Sequence, residues 1–190
     1  MNAFRVALTL LWVLGGSTSA IAQLPPVVQE PGPADIAKSQ RQREDVALLA
    51  RRHLGSPLRG GDLRDLEVLQ RLLDRNVVDR EDVLGLQALG VVLGDVMASN
   101  LPLDWVTIDD EYGHSRALRL GKTDNLYFPI TMISKRVVNR EQVDVQALYD
   151  KVAGDVELLE SRKRPKRRRI QLPPRPVFGE GGSGEGKAGD

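Results

Sequence analysis

Residues 83–98 carry apolar side chains on nearly every side of a helix, and the pattern changes a few residues later. After residue 102 the chain contains three segments rich in β-branched and aromatic residues, "LDWVTID", "RALRL" and "NLYFPITMISKRV". A helix that is apolar all round is buried in a domain core, whereas such segments are typical of strands. The sequence therefore predicts an α+β fold, with helices first and an antiparallel three-stranded sheet after them.

The helix over 83–98 also carries small residues at every fourth position, Gly90, Gly94 and Ala98. Glycine costs about 1 kcal/mol in a helix interior relative to alanine. The flat strip that these residues form indicates close approach by a neighbouring element. Acidic residues such as Asp95 interrupt the segment, which argues against a membrane span.

This helix is predicted to begin near Asp79, and the other helices near Asp35, Asp62 and Asp144, because aspartate at a helix start accepts a backbone hydrogen bond. The last helix is amphipathic and is expected to pack on the sheet. In the long third strand, alternate residues are predicted to share one face: Leu126, Phe128, Ile130 and Met132. Pro129 cannot donate to a sheet ladder, so that strand is predicted to be an edge strand or to carry a bulge.

The chain divides into four predicted segments. Residues 1–22 resemble a signal peptide, because an apolar run follows Arg5 and the A-x-A pattern predicts cleavage between Ala22 and Gln23. The remaining segments are a proline-rich spacer (23–34), a single α+β domain (35–160) and a disordered tail (161–190) that is first basic and then glycine-rich. We therefore expect an exported protein, periplasmic or secreted, without a transmembrane helix in its mature form.

The absence of cysteine excludes disulfides, thiolate metal sites and a cysteine nucleophile. An exported domain of this composition has to be stabilised by core burial alone. The predicted domain is near the usual single-domain size, so its core should be sufficient.

Charge is unevenly distributed along the chain. Residues 35–160 hold 17 basic and 22 acidic side chains, a net charge of −5, whereas "RKRPKRRR" carries seven positive charges in eight positions. Such a run favours an anionic lipid or lipopolysaccharide surface as its partner. Export argues against nucleic acid, although an unknown protein partner and a merely solubilising tail stay open. The basic residues are Arg162, Lys163, Arg164, Lys166, Arg167, Arg168 and Arg169.

An acidic cluster surrounds the turn between the first two strands. It contains Asp104, Asp109, Asp110, Glu111 and Asp124, with His114 nearby. The EF-hand spacing is absent, and adjacent strand residues face opposite sides, which works against joint ligation of a metal. We therefore predict no metal site and no cofactor. The simplest interpretation is a hairpin tip whose carboxylates are solvated or paired with Arg116, Arg119 or Arg136.

An enzymatic interpretation would use Asp110 and Glu111 as acid and base, or His114 as a base for Ser115 or Ser134. No G-x-S-x-G elbow is present, and neighbouring strand residues such as His114 and Ser115 point apart. A ligand-binding interpretation would use Trp105, Tyr112 and Arg136, since aromatic rings can form a stacking platform. Burial of Trp105 in the core is the simpler alternative.

The stretch from about residue 78 to residue 152 resembles an uncharacterised bacterial family, domain of unknown function 3806. The residues that carry this resemblance are Gly90, Trp105, Asp110, Glu111, Tyr112, Gly113, Pro129, Lys135 and Arg136. The resemblance implies a small α+β domain of bacterial proteins and no established activity. The basic run lies outside it.

Taken together, these patterns favour a non-enzymatic, exported interaction module whose basic run binds anionic envelope surfaces. The alternative is a small ligand-binding domain or hydrolase-like enzyme that uses Asp110 and Glu111.

Overall fold

The described part of the chain, residues 26–111 and 113–163 of a computed structural model, contains five helices and four strands. In chain order they are β1 (Val27–Gln29), α1 (Pro33–Leu54), α2 (Arg64–Asp74), α3 (Val83–Asn100), β2 (Leu103–Asp110), β3 (Gly113–Leu120), β4 (Leu126–Tyr127), α4 (Pro129–Val138) and α5 (Val145–Lys163). The α+β class is confirmed, whereas the number and length of the strands differ from the prediction.

The strands form one antiparallel sheet in the order β1-β2-β3-β4. β2 and β3 pair along their whole length, from Leu103 opposite Leu120 to Asp110 opposite Gly113. β1 was not predicted from the sequence. It pairs with the C-terminal half of β2, with Val27 opposite Asp109. In the described part of the segment that the sequence predicts to be a spacer (23–34), a strand forms and α1 begins at Pro33.

The sheet has two unlike faces. On the helix face, Leu103, Trp105, Leu118 and Leu120 join the main core, to which all five helices contribute apolar residues. On the opposite face, apolar residues of all four strands form a separate small cluster, which we call the outer stripe: Val28, Val106, Ile108, Ala117 and Leu126. Side chains alternate along a strand, so consecutive residues of β2 supply both clusters.

α3 lies at the centre of the main core, as predicted. Leu86, Leu89, Leu93 and Val96 are fully buried along it. Among the described helices α3 alone is long and apolar enough to cross a membrane by composition, and 56% of that window is buried inside the protein. Burial within the fold therefore accounts for its apolar character.

The glycine strip of α3 receives α4. A Cβ at Gly90 would lie 2.6 Å from the Ile130 Cα and from the backbone carbonyl oxygens of Pro129 and Ile130. A Cβ at Gly94 would lie 2.3 Å from the Trp105 ring. The prediction that glycine permits close approach at these positions is confirmed.

The long third strand predicted over "NLYFPITMISKRV" is wrong, because only Leu126–Tyr127 pair with β3. Pro129 is not a bulge in a strand; it starts α4, where its missing N–H and restricted φ are compatible with a first helical turn. Ile130, Ile133 and Ser134 are buried at helical spacing. Packing against α3 outweighs the β propensity of this segment, which is a weak and context-dependent preference.

The helix starts agree with the predictions to within a few residues. Asp82, rather than Asp79, caps α3, because its Oδ1 accepts a 2.9 Å hydrogen bond from the Gly85 N–H. Asp144 caps α5 in the same way, accepting from the Ala147 N–H at 2.9 Å. At its other end α5 continues to Lys163. Arg162 and Lys163, assigned by sequence to the tail, are therefore the last residues of a helix.

Candidate functional site

The β2–β3 hairpin determines which acidic residues can act together. The register places Asp109 opposite His114 and Asp110 opposite Gly113. Gly113 has a φ of 111°, a backbone conformation that favours glycine at this turn. Because neighbouring strand residues face opposite sides, His114 shares a face with Asp109, and Asp110 faces the other way. Tyr112, the predicted aromatic partner of Trp105, lies outside the described residues.

His114 forms two hydrogen bonds to carboxylates. Its Nδ1 lies 2.7 Å from the Asp109 Oδ1, and its Nε2 lies 2.9 Å from the Asp35 Oδ1. Asp35 belongs to the first turn of α1, so the ring joins the hairpin to the start of that helix. The hydrogen bond to Asp109, followed by that to Asp35, raises the pKa of His114 above its ordinary 6.5.

This arrangement bears on the role of general base considered for His114. An imidazolium that donates both N–H groups to carboxylates has no lone pair with which to accept a proton, so it is unsuited to general-base catalysis in this state. It also cannot act jointly with Asp110, which projects from the opposite face of the sheet. Asp110 and Glu111 are exposed and make interactions of their own. Asp110 and His114 therefore do not converge on one point.

Arg116 continues the contact between β3 and α1. Its Nη2 donates to the Gln42 Oε1 at 2.8 Å, and its Nη1 donates to the Ser39 Oγ. Partial burial lowers the pKa of this guanidinium, the nearby Arg43 also lowers it, and Asp35 opposes both effects. Arg116 is thus a partner of α1, not the expected partner of the hairpin-tip carboxylates.

One turn further along α1, Arg43 makes a two-pronged contact with α3. Its Nε and Nη2 donate to the two carboxylate oxygens of Asp95 at 2.6 and 2.8 Å. The Trp105 Nε1 donates to Asp95 as well, at 3.1 Å. The hydrogen bond to Asp95 raises the pKa of Arg43, and burial opposes that effect. Two residues, through three N–H donors, therefore hold the acid that interrupts the apolar surface of α3.

We call this row of contacts between α1 and the rest of the domain the polar seam. Its α1 members are Asp35, Ser39, Gln42 and Arg43, and its partners are Asp95, Trp105, Asp109, His114 and Arg116. The α1 positions are four, three and one residues apart, so they lie on one side of the helix. From its polar side chains alone, this part of α1 would be expected to be exposed or frayed. The helical spacing of its polar residues was the signal that could have revealed the contact.

The other candidate ligand residues are used within the fold. Trp105 packs its ring against Gly94 and is only partly exposed, as the simpler sequence interpretation expected. Arg136 lies on α4 and donates to the Met132 carbonyl oxygen at 2.7 Å. Arg119 donates to the Thr123 carbonyl oxygen at 2.7 Å. These contacts give Trp105 and Arg136 no common cavity with the hairpin acids.

The concave surfaces lie away from the hairpin tip. A 220 Å³ cavity beside the polar seam is lined by Arg43, Asp95, Asp65 and both glycines of the 60–61 turn, among others. Asp65 is fully buried, and its carboxylate accepts from the Arg59 N–H at 2.8 Å and the Gly61 N–H at 3.1 Å. That carboxylate holds the loop before α2. A 540 Å³ cleft lies between the α2–α3 and α4–α5 connections.

No group of three or more histidine and acidic side chains within residues 26–111 and 113–163 has the arrangement of a metal site. The five basic residues from Arg164 to Arg169, and the predicted cleavage point at Ala22 and Gln23, lie outside the described residues. Within them, Arg162 is exposed in the last turn of α5.

The central part of the chain is similar to a known family. Residues 65–149 match the family model described as domain of unknown function (DUF3806), which confirms the resemblance found in the sequence. The match begins after α1, so the polar seam joins the family's segment to a helix that precedes it. No curated protein matches the chain.

A similar fold occurs in a solved structure from Bacteroides thetaiotaomicron VPI-5482. The TM-score is 0.65 at 15% sequence identity, and the similarity covers 70% of this chain. The chain matches 49% of that protein, about half of its length. At this identity the comparison shows the fold alone.

Proposed function

We propose, from the premise that residues 65–149 form a DUF3806 domain, that this protein is a non-enzymatic, exported interaction module. Its basic run, residues 162–169, binds anionic lipid or lipopolysaccharide at the cell envelope. We also propose that the protein is periplasmic or secreted, because the sequence predicts a signal peptide in residues 1–22. An unknown protein partner is compatible with it.

The observation that carries the proposal is the charge change at the end of α5. The helix carries Asp155, Glu157 and Glu160, and then reaches Arg162 and Lys163 without a break. The basic run therefore starts on a helix anchored in the core by Val152 and Val156, each 3% exposed. A negative surface attracts the basic run and repels the acidic body from which it starts.

The polar seam supports a binding role in a different way. Its charged groups are joined to one another: Arg43 to Asp95, and His114 to Asp35 and Asp109. Groups engaged in this way stabilise the contact of α1 with the sheet and are not poised for acid–base chemistry. The basic run is the strongest concentration of charge in the sequence that the seam does not use.

The magnitude of the expected attraction is substantial. Each Lys or Arg near an anionic membrane surface contributes about 1 kcal/mol, and the effect decays over a Debye length of about 10 Å at 0.1 M salt. Seven such residues suffice for strong association at low ionic strength. The same physics requires that salt release the protein.

Co-sedimentation with phosphatidylglycerol-containing vesicles tests this proposal. The protein as exported should pellet with the vesicles at low salt and stay in the supernatant at about 1 M salt, where the Debye length is about 3 Å. A chain that ends at Ser161 should stay in the supernatant in both conditions.

A matched control separates charge from chain length. It keeps all residues and replaces the seven basic side chains of 162–169 by glutamine. This variant should behave like the chain ending at Ser161. Equal pelleting of the wild type and the glutamine variant would refute the role of the basic run.

A further inference from the structure

The outer stripe is buried although no described helix contributes to it. Val106, Ile108 and Ala117 are 8%, 3% and 0% exposed. The apolar side chains packed against them come from β1 and β4, Val28 and Leu126. Each described helix instead contributes buried apolar residues to the main core on the other face. The stripe therefore lacks an apolar cover among the described residues.

The burial of successive residues in β2 also indicates that this face is covered. In a sheet with one face in water, buried and exposed residues alternate along a strand. In β2, Val106, Thr107 and Ile108 are buried in succession, which is the pattern of a strand covered on both faces. On the same face as the stripe, Asp104 and Ser115 are exposed, so the cover is confined to its centre.

The chain beyond α5 starts close to this face. Asp155, Leu158 and Leu159 of α5 line a 430 Å³ cleft together with Leu126 and Tyr127 of β4. The C-terminal half of α5 therefore passes the β4 edge of the sheet, and Leu126 is the end of the outer stripe at that edge. Twenty-seven residues, 164–190, follow Lys163.

One part of these 27 residues has the composition to cover the stripe. Residues 170–178, "IQLPPRPVF", contain four large apolar side chains, whereas residues 179–190 contain none. The seven Cα–Cα steps from Lys163 to Ile170 span up to about 25 Å when extended. The four strands are about 14 Å across at a spacing of about 4.8 Å. The segment can therefore reach every part of the stripe.

The chemistry of the segment fits contact with a sheet face better than pairing at an edge. Its three prolines cannot donate to a strand ladder but present compact apolar rings. Its single charge, Arg175, matches the acidic residues that flank the stripe on the same face, Asp104 and Asp110. We infer that residues 170–178 fold back across the β4 edge and pack on the outer stripe.

This contact changes how the basic run is presented. Residues 162–169 are then held at both ends, by α5 and by the packed segment, and form a loop at the β4 edge of the sheet. The inference stands apart from the proposed membrane role, because the packing depends on apolar contact and the membrane role depends on charge.

Paramagnetic broadening tests the packing directly. The chain has no cysteine, so Ser115→Cys gives one attachment point for a spin label, exposed on the same face as Ile108. In the protein as exported, this label should broaden the amide resonances of residues 170–178. A label at Arg80→Cys, in the α2–α3 connection on the helix side, is the matched control and should leave those resonances sharp.

Other occupants of the stripe give other results. Broadening of residues before Pro26 in place of 170–178 would overturn the inference in favour of the N-terminal segment. Broadening seen only between a labelled copy and an isotope-labelled, spin-free copy would overturn it in favour of a second molecule. Sharp resonances throughout, with the label at residue 115, would overturn it as well.

Stability supplies an independent measurement. A variant with Ile170, Leu172 and Phe178 all replaced by serine should lose about 5 °C in Tm, because the stripe is then exposed. A chain that ends at Glu180 removes only the glycine-rich end and should keep the wild-type Tm. Equal Tm values for the serine variant and the wild type would count against the packing.

The two proposals fail separately. The serine variant retains the basic run and should still pellet with anionic vesicles. The glutamine variant of 162–169 should lose pelleting and retain the broadening from the label at residue 115.

Discussion

Two helices dock on the rest of this domain in opposite ways. α4 packs against the glycine strip of α3, where backbone meets backbone at Gly90 and the ring of Trp105 covers Gly94. α1 docks its N-terminal half through the polar seam, where charged groups such as Arg43 and Asp95 meet. The first contact depends on the space that glycine leaves for a close neighbour, and the second depends on attraction between opposite charges. They should therefore respond to different perturbations.

Gly90→Ala should have the largest effect on stability. The new methyl group would lie 2.6 Å from the backbone of α4, which cannot move aside as a flexible side chain can. Overpacking of about 3 kcal/mol, less the helix-propensity gain of about 1 kcal/mol, lowers the free energy of unfolding by about 2 kcal/mol. Urea denaturation measures this difference, which should not depend on salt.

Gly154→Ala on α5 is the matched control for that substitution. A Cβ there meets no atom within 4 Å. Only the propensity gain applies, so the variant should be more stable than the wild type by up to about 1 kcal/mol. Equal effects at Gly90 and Gly154 would contradict the close packing of α4 on α3.

Asp95→Asn should weaken the seam by a smaller amount. The substitution keeps the shape of the side chain but removes the charge that holds Arg43 and accepts from Trp105. A hydrogen bond to a charged group contributes about 1.5–3 kcal/mol, and partial exposure places this one at the lower end, about 1.5 kcal/mol.

Salt distinguishes this loss from that at Gly90. Added salt should reduce the difference between wild type and Asp95→Asn in denaturation experiments. Asp150→Asn on the surface of α5 is the control and should change stability by less than about 0.5 kcal/mol. A salt-independent difference at Asp95 would contradict the electrostatic basis of the seam.

The smallest effect should be the pH dependence that His114 contributes. Its pKa is raised in the folded protein by the hydrogen bonds to Asp109 and Asp35. A group of this kind stabilises the fold fully below its unfolded pKa of about 6.5, and the contribution is lost as the pH rises through the folded pKa. The stability difference between wild type and His114→Gln should therefore be larger at pH 5.5 than at pH 8.5.

An NMR titration of the His114 ring measures the same effect directly. Its midpoint should lie above 6.5, and Asp35→Asn should lower it, because one of the two carboxylates is then lost. A midpoint unchanged by Asp35→Asn would mean that α1 is not joined to the hairpin through this ring.

The sequence allowed good prediction where a pattern reflects local chemistry. The apolar surround of α3, its glycine strip and the aspartate cap of α5 are each encoded within a few residues, and the structure confirms them. The strand alternation in β2 also predicted that Asp109 and Asp110 face opposite sides.

The failures occurred where a distant partner determines the result. Residues 129–138 have the composition of a strand, yet they form α4 because the surface at Gly90 and Gly94 admits a helix beginning at Pro129. The contacts of the polar side of α1 were not predicted, because its partners, His114 and Arg116, lie more than seventy residues further along the chain.

By itself, the sequence determined that this chain forms an α+β domain around one apolar helix and that its charge changes sign beyond Glu160. Hydrophobic periodicity and charge are properties of neighbouring residues, so they can be read without coordinates. Only the tertiary structure decided that His114 joins the hairpin to α1 and that the outer stripe is buried. Both depend on which surfaces meet, and that depends on packing summed over the whole fold.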